Sequence, residues 1–290
     1  MEWIDKIKKN SFINKLINEY KISDSELEIS RKEIDTFLMN QICVKNNTIT
    51  DECLQPKKGL IYNLQYKNNK IIGFYLSCAH QKKVEEDYKI QKNYLYFDFD
   101  KKDLKLNIRN SVDWKVNSGD IYRINVTKAL SEIIKNNSNK GIYLCGSSGV
   151  GKTHLLKLVA NRISENNKTI VFIDTPSLIN KAQESFEDPS SGYAKLINNI
   201  KNCDVLFLDD FGGEQISTWS RDSIIFPILN SRINKNKIVF FSSNYPIEIL
   251  KTKYNKEGGI LGQINAERIV DRIRGLAIPF IIKGDSWRKI

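Results

Sequence analysis

Eight residues near the middle of the chain, Gly146, Ser147, Ser148, Gly149, Val150, Gly151, Lys152 and Thr153, have the types and spacing needed to wrap a string of phosphates. The glycines allow successive backbone N–H groups to turn inward around anionic oxygens. A lysine at the seventh place can reach the β- and γ-phosphates, and the hydroxyl after it can ligate Mg²⁺. The run follows an apolar stretch, Gly141-Ile-Tyr-Leu-Cys145, and opens a helical pattern. That is the strand–loop–helix context in which the spacing carries meaning, and the helix N-terminus adds positive potential. ATP with Mg²⁺ is the cofactor set it implies.

A second group of residues supplies the other half of such a site. Val205-Leu-Phe-Leu buries a strand, and Asp209 and Asp210 emerge at its C-terminal end, where open α/β sheets bind ligands. Asp209 is placed to hold Mg²⁺ through water, and Asp210 to polarise an attacking water. Glu214 is the alternative for the latter role. Phe240-Phe-Ser-Ser ends the next strand at Asn244, which is either a turn residue or a group that orients the water.

The elements that must position these residues follow from periodicity. Short apolar runs at 141–145, 169–173, 205–208, 238–241 and 277–282 alternate with helical segments. Near-continuous apolar strands separated by helices predict a parallel sheet covered on both faces. An amphipathic helix over 121–134 precedes them, with Val126, Leu130, Ile133 and Ile134 on one stripe. The N-terminal part reads differently. Phe12, Leu16 and Ile17, then Ile29, Ile34, Phe37 and Leu38, recur at helical spacing on either side of Ser23-Asp24. Leu60 to Tyr66 and Ile71 to Leu76 flank Asn68-Asn69 as a β-hairpin, and 81–92 is a charged helix. The expected organisation is an α+β domain over 1–92, a linker over 93–118, where aromatic and charged residues mix without a period, and an α/β ATPase domain over 119–290.

Composition narrows the partners. A net charge of +11 on 290 residues favours a polyanion such as nucleic acid, although Lys, Asn and Ile abound everywhere, as compositional bias alone would produce. No apolar run approaches the ~20 residues of a membrane span, and the N-terminus lacks a secretory signal, so a cytoplasmic protein without a membrane partner is expected. Five cysteines without regular spacing do not suggest a disulfide framework. Cys43, Cys53, Cys78 and His80 make an ordinary tetrahedral zinc set for a small domain; the other reading is buried apolar cysteines. Cys145 and Cys203 read as small apolar fillers.

Taken together, Gly146–Thr153, Leu206-Phe-Leu-Asp-Asp-Phe-Gly-Gly-Glu214, Ser217-Thr-Trp-Ser-Arg-Asp-Ser223, Phe241-Ser-Ser-Asn-Tyr245, Ala266-Glu-Arg-Ile-Val-Asp-Arg-Ile-Arg274 and Asp285-Ser-Trp-Arg288 resemble AAA+ ATPases. More narrowly, they resemble the bacterial primosomal helicase loaders of the DnaI/DnaC kind. The resemblance covers about 120–290 well and the N-terminal part more faintly. It implies an ATP-dependent homo-oligomer that sits on a ring-shaped, hexameric replicative DNA helicase and delivers it to single-stranded DNA. It also implies roles for single residues. Arg272 matches the arginine that reaches a neighbouring subunit's γ-phosphate, and Arg288 the second nucleotide-sensing arginine. Phe186, Ser217 and Trp219 fall where loaders contact single strands. The family's N-terminal domain carries zinc, but its close cysteine pair is missing here: Cys43 and Cys53 are ten apart, and Cys78 and His80 only two. Two other functions share parts of the pattern. One is a transposition-helper ATPase, which would lack a cysteine-bearing helicase-binding domain. The other is a nucleotide-switched adaptor with little hydrolysis, which the Asp209-Asp210 pair leaves open.

Overall fold

The computed structural model describes residues 2–40, 53, 55–107, 121–136, 139–188, 190–284 and 286. Contacts divide the chain into two units, Met1–Glu86 and Asp87–Ile290.

In the first unit, α1 (Glu2–Lys8), α2 (Ser11–Tyr20), α3 (Asp24–Ile29) and α4 (Arg31–Met39) precede an antiparallel pair, β1 (Leu60–Lys67) and β2 (Lys70–Ser77). The Asn10 side chain accepts from Phe12 N and Ile13 N, and Ser23 with Glu26 forms a reciprocal capping box, so the chain restarts its helix at these points. Asn68 and Asn69 both take positive φ (54° and 56°), the two-residue turn whose twist matches the flanking strands. Ile13, Leu27, Ile34, Phe37, Leu64 and Ile71 form the core. Ile29, expected on the helical stripe, is 75% exposed: α3 has only six residues, and Leu27 takes its buried position. Helix α5 (Ala79–Lys92) follows, and the division between the units falls inside it.

The second unit runs β3 (Tyr94–Phe97), a 3₁₀ turn (Lys101–Lys105), α6 (Ile121–Asn136), β4 (Gly141–Cys145), α7 (Lys152–Ser164), β5 (Ile170–Asp174), α8 (Thr175–Glu187), α9 (Tyr193–Asn202) and β6 (Val205–Asp209). A π-helical turn (Ser220–Ile225), α10 (Phe226–Asn234), β7 (Ile238–Ser243), α11 (Ile247–Tyr254), α12 (Gly259–Leu276) and β8 (Ala277–Ile281) complete it. The strands pair in parallel in the order β3-β5-β6-β7-β4-β8. Alternate residues of the central strands enter different cores, Val171, Leu206 and Phe241 one and Phe172, Phe207 and Phe240 the other, so the sheet is covered on both faces. Among the described residues no helix is long and apolar enough to cross a membrane.

One boundary needs correction. The segment expected to be a linker, 93–118, opens with β3, which is an edge strand of the large sheet. Its four residues are too few to display a period; pairing with β5, continued by a 2.8 Å bond from Ile170 N to Asn93 O, makes it a strand. Two buried arginines also escape any linear reading. The Arg232 guanidinium is fully buried and donates to the carbonyls of Cys203, Asp204 and Ile238, tying the end of α9 to the start of β7. Arg221 is equally buried and donates to Asp222, Glu257 and the Tyr254 carbonyl.

Candidate nucleotide site

The loop between β4 and α7 meets the C-terminal edge of the sheet in a cleft of about 750 Å³. Two glycines there are required by geometry. Gly151 caps α7 at φ +95°, a conformation costly for any L side chain, and a Cβ on Gly146 would lie 2.3 Å from the Ile282 carbonyl oxygen. Lys152 begins α7, and its Nζ donates to Gly146 O at 2.8 Å, Ser147 O at 2.9 Å and Asn244 Oδ1 at 2.8 Å. The ammonium is thus held at the mouth of the loop, as a phosphate-binding lysine requires.

The other residues expected here converge on two short chains of hydrogen bonds. Thr153 Oγ1 donates to Asp209 Oδ1 at 3.1 Å, and Ser242 Oγ donates to the same oxygen. Asp209 is 8% exposed, and burial pushes its carboxyl pKa up, against the lowering effect of these hydroxyls and with help from Asp174 and Asp210. A hydroxyl and a carboxylate this close to the phosphate loop are a donor set suited to Mg²⁺. Asn244 Nδ2 donates to Asp210 Oδ1 at 2.9 Å while its Oδ1 accepts from Lys152, so the amide links lysine to acid. Asp210 adopts φ +47°, unusual for a non-glycine residue, with its own N–H bonded to Ser242 Oγ at 3.0 Å. Glu214, the alternative for polarising water, is directed elsewhere. It is 5% exposed, accepts from Gly212 N and the Tyr254 hydroxyl, and does not line the cleft.

Five residues on the cleft wall had no role in the linear reading: Asp103, His154, Lys157, Asp174 and Ser242. Lys157 Nζ donates to Asp103 Oδ2 at 2.7 Å, fastening the 3₁₀ turn to α7, and Asn161 donates to the Asp103 and Leu106 carbonyls. Asp174 caps α8 by accepting from Ser177 N at 3.0 Å. Its own N–H donates to Asp98 Oδ2 at 2.7 Å, and burial raises the Asp98 pKa to about 6. Asp174 ends an apolar strand just as Asp209 does, which was the available signal; Asp103 offered none.

A family model described as the bacterial DnaA ATPase domain matches residues 115–256. The replicative helicase loader DnaI of Bacillus subtilis is 25% identical over 289 residues, covering 94% of this chain and 92% of that protein. A crystal structure of DnaI superposes with a TM-score of 0.57 at 28% identity, over 69% of this chain and 100% of that one. The replicative helicase loader DnaC of Escherichia coli is 24% identical over 144 residues, 49% of this chain and 54% of that protein. The chain is DnaI-like over nearly its whole length. Its second unit resembles the ATPase domains of these replication proteins.

Beyond the cleft, this DnaI-like chain brings together two of the expected residues and separates others. Phe186, at the end of α8 and 71% exposed, and Trp219, before the π-helical turn, lie with ring centroids 5.4 Å apart. Ser217 accepts from Ser220 N at 3.0 Å, capping that turn. Arg272 lies on α12 and does not line its own chain's cleft; its Nε donates to Asn230 Oδ1 at 3.2 Å. Arg288 and Cys43 lie outside the described residues. Cys53 Sγ accepts from Gly59 N at 3.5 Å, and hydrogen bonds from Gly59 and then Gln55 hold its pKa below the ordinary thiol value. Cys78 Sγ accepts from Gln81 N at 3.3 Å. Among the described residues no three His, Cys, Asp or Glu side chains gather as a metal site.

Proposed function

We propose that this chain is an ATP-dependent loader that places a ring-shaped, hexameric replicative DNA helicase on single-stranded DNA, working in the bacterial cytoplasm as a homo-oligomer. The observation that carries this reading is the wired cleft, Lys152–Asn244–Asp210 beside Thr153–Asp209, in a chain similar to DnaI over 94% of its length. Held by Thr153 and Asp209, Mg²⁺ would neutralise charge on the β- and γ-phosphates. Lys152 exchanges its loop carbonyls for phosphate oxygens, and the Gly146–Gly151 backbone donates to the rest. Asp210, steadied by Asn244, accepts the proton side of the attacking water. Arg272 serves a neighbour's γ-phosphate, a role supported by its position away from its own cleft, and Arg288 senses the nucleotide.

The aromatic pair offers a stacking surface for bases, with Ser217 beside it in sequence, and the basic surface follows the backbone. The first unit engages the helicase. Zinc on Cys43, Cys53, Cys78 and His80 belongs to this reading; its support is the two sulfurs that accept backbone N–H groups. Co-purification with the organism's own replicative helicase, with and without ATP, tests the function directly. Failure to capture the helicase in either condition would overturn it.

A further inference from the structure

We infer that Phe226 is the platform that sets Arg268 and Arg272 as an outward-facing pair for the phosphates bound by a second copy of this chain, an inference that rests on Arg272 acting in trans. Residues 268 and 272 are one turn apart on α12, so their side chains share a face. Ile269, Val270 and Ile273 on the same helix are buried and fix it to the core. Like charges at this spacing repel, and a carboxylate would ordinarily sit between them. Arg221 has Glu257 and Asp222, and Arg274 has Glu248. Among the described residues no carboxylate pairs with Arg268 or Arg272.

A ring stands where the counter-ion would be. The Arg268 guanidinium carbon lies 4.1 Å from the centroid of Phe226, and that of Arg272 lies 5.7 Å from it. The negative face of the ring attracts both cations without neutralising either. Phe226 opens α10 and is packed against the hydrophobic core, so the platform is rigid. Asn230, one turn on, accepts from Arg272 Nε at 3.2 Å. That bond fixes the guanidinium plane and leaves its two terminal nitrogens to donate outward. Two cations held together without a carboxylate, each with donors to spare, match a polyphosphate supplied from outside the chain. Phe226 and Asn230 are therefore positioning residues, and Arg268 is a second phosphate-directed arginine.

The test mixes two full-length chains and measures ATP hydrolysis. The recipient carries Arg268→Ala and Arg272→Ala with its own cleft intact. The donor carries Lys152→Ala, so it contributes no turnover and can act only through its surface. This donor should restore hydrolysis to the recipient, and a donor that also carries Arg272→Ala should not. Adding Phe226→Leu to the donor keeps the apolar volume and removes the ring; the restored kcat should fall roughly two- to fivefold with KM for ATP unchanged. Phe226→Tyr should restore it. If the first donor fails, the trans reading falls and the platform with it. If that donor works and Phe226→Leu works equally well, the platform alone is wrong. A tyrosine donor as weak as the leucine donor would exclude the ring face as the cause.

Discussion

The nucleotide cleft and the small N-terminal unit both draw their polar groups from residues far apart in the chain, yet they complete them to different degrees. In the cleft, groups from the start of α7 and the ends of β6 and β7 bond to one another directly: Lys152 to Asn244, Asn244 to Asp210, Thr153 and Ser242 to Asp209. Strand ends leave little freedom, because register and the sheet's parallel order place each residue beside its partner. In the small unit the bonds serve the fold. Tyr66 donates to Glu26 at 2.6 Å, Tyr62 donates to Glu33, and Ile71 N donates to Ser30 Oγ at 2.9 Å, joining helices to hairpin. Its outer strand face keeps Ile72, Phe74 and Leu76 exposed, and Cys53 and Cys78 each accept a backbone N–H. One region is organised around a ligand, and the other around its own core.

The largest effect that could break this contrast is on nucleotide affinity. Lys152→Ala removes the ammonium held at the mouth of the phosphate loop, so ATP affinity should fall at least about 100-fold, roughly 3 kcal/mol, by calorimetry. The first unit should keep its circular dichroism and melting behaviour; if it unfolds with the mutation, the two regions are not independently organised.

Next in size is a stability effect confined to the large unit. Arg232→Ala strands the carbonyls of Cys203, Asp204 and Ile238 in the interior, and unfolding in urea should show a loss of about 3 kcal/mol. A loss below about 0.5 kcal/mol would mean that those carbonyls find other donors.

The aromatic pair should contribute less, and in a recognisable way. Phe186→Ala or Trp219→Ala should each weaken single-stranded DNA binding by about 1–3 kcal/mol, with ATP affinity unchanged. Because the rings touch, the double variant should cost less than the sum of the two. Strict additivity in fluorescence anisotropy titrations would show that they act as separate contacts.

In the small unit, Cys53→Ser should lower the bound zinc, measured as metal content per chain, and lower the melting temperature of that unit alone. Identical melting with and without chelator would remove zinc from the reading.

The smallest expected effect is a pH dependence beside the cleft. Burial holds the folded pKa of Asp98 at about 6, above its ordinary 3.8, with the Asp174 and Asp209 carboxylates adding to the shift. Folding therefore favours the protonated form, and this contribution is present in full at acid pH and lost as pH rises from about 4 to about 6. Asp98→Asn keeps an acceptor for Asp174 N, so the variant should melt above wild type at pH 7 and level with it near pH 4. A pH-independent difference in melting temperature would assign the effect to packing.

The sequence by itself determined the parallel sheet and the cis half of the nucleotide site. Glycine spacing, a lysine and threonine opening a helix, and acids ending an apolar strand are local signals, and a strand's C-terminal end is a place that chain direction alone specifies. It also determined the hairpin turn at Asn68-Asn69 and the helix break at Ser23. What only the tertiary structure decided depends on neighbours distant in sequence. β3 is a strand because β5 offers it an edge, and Asp103 reaches the cleft because Lys157 and Asn161 draw the 3₁₀ turn onto α7. Glu214 faces away from the cleft because Gly212 and Tyr254 take its oxygens. Phe186 and Trp219 meet, and Arg268 and Arg272 share a ring, only once α8, α10 and α12 have packed. Side-chain type and spacing are written in the chain, whereas the partner that gives a side chain its direction is supplied by packing.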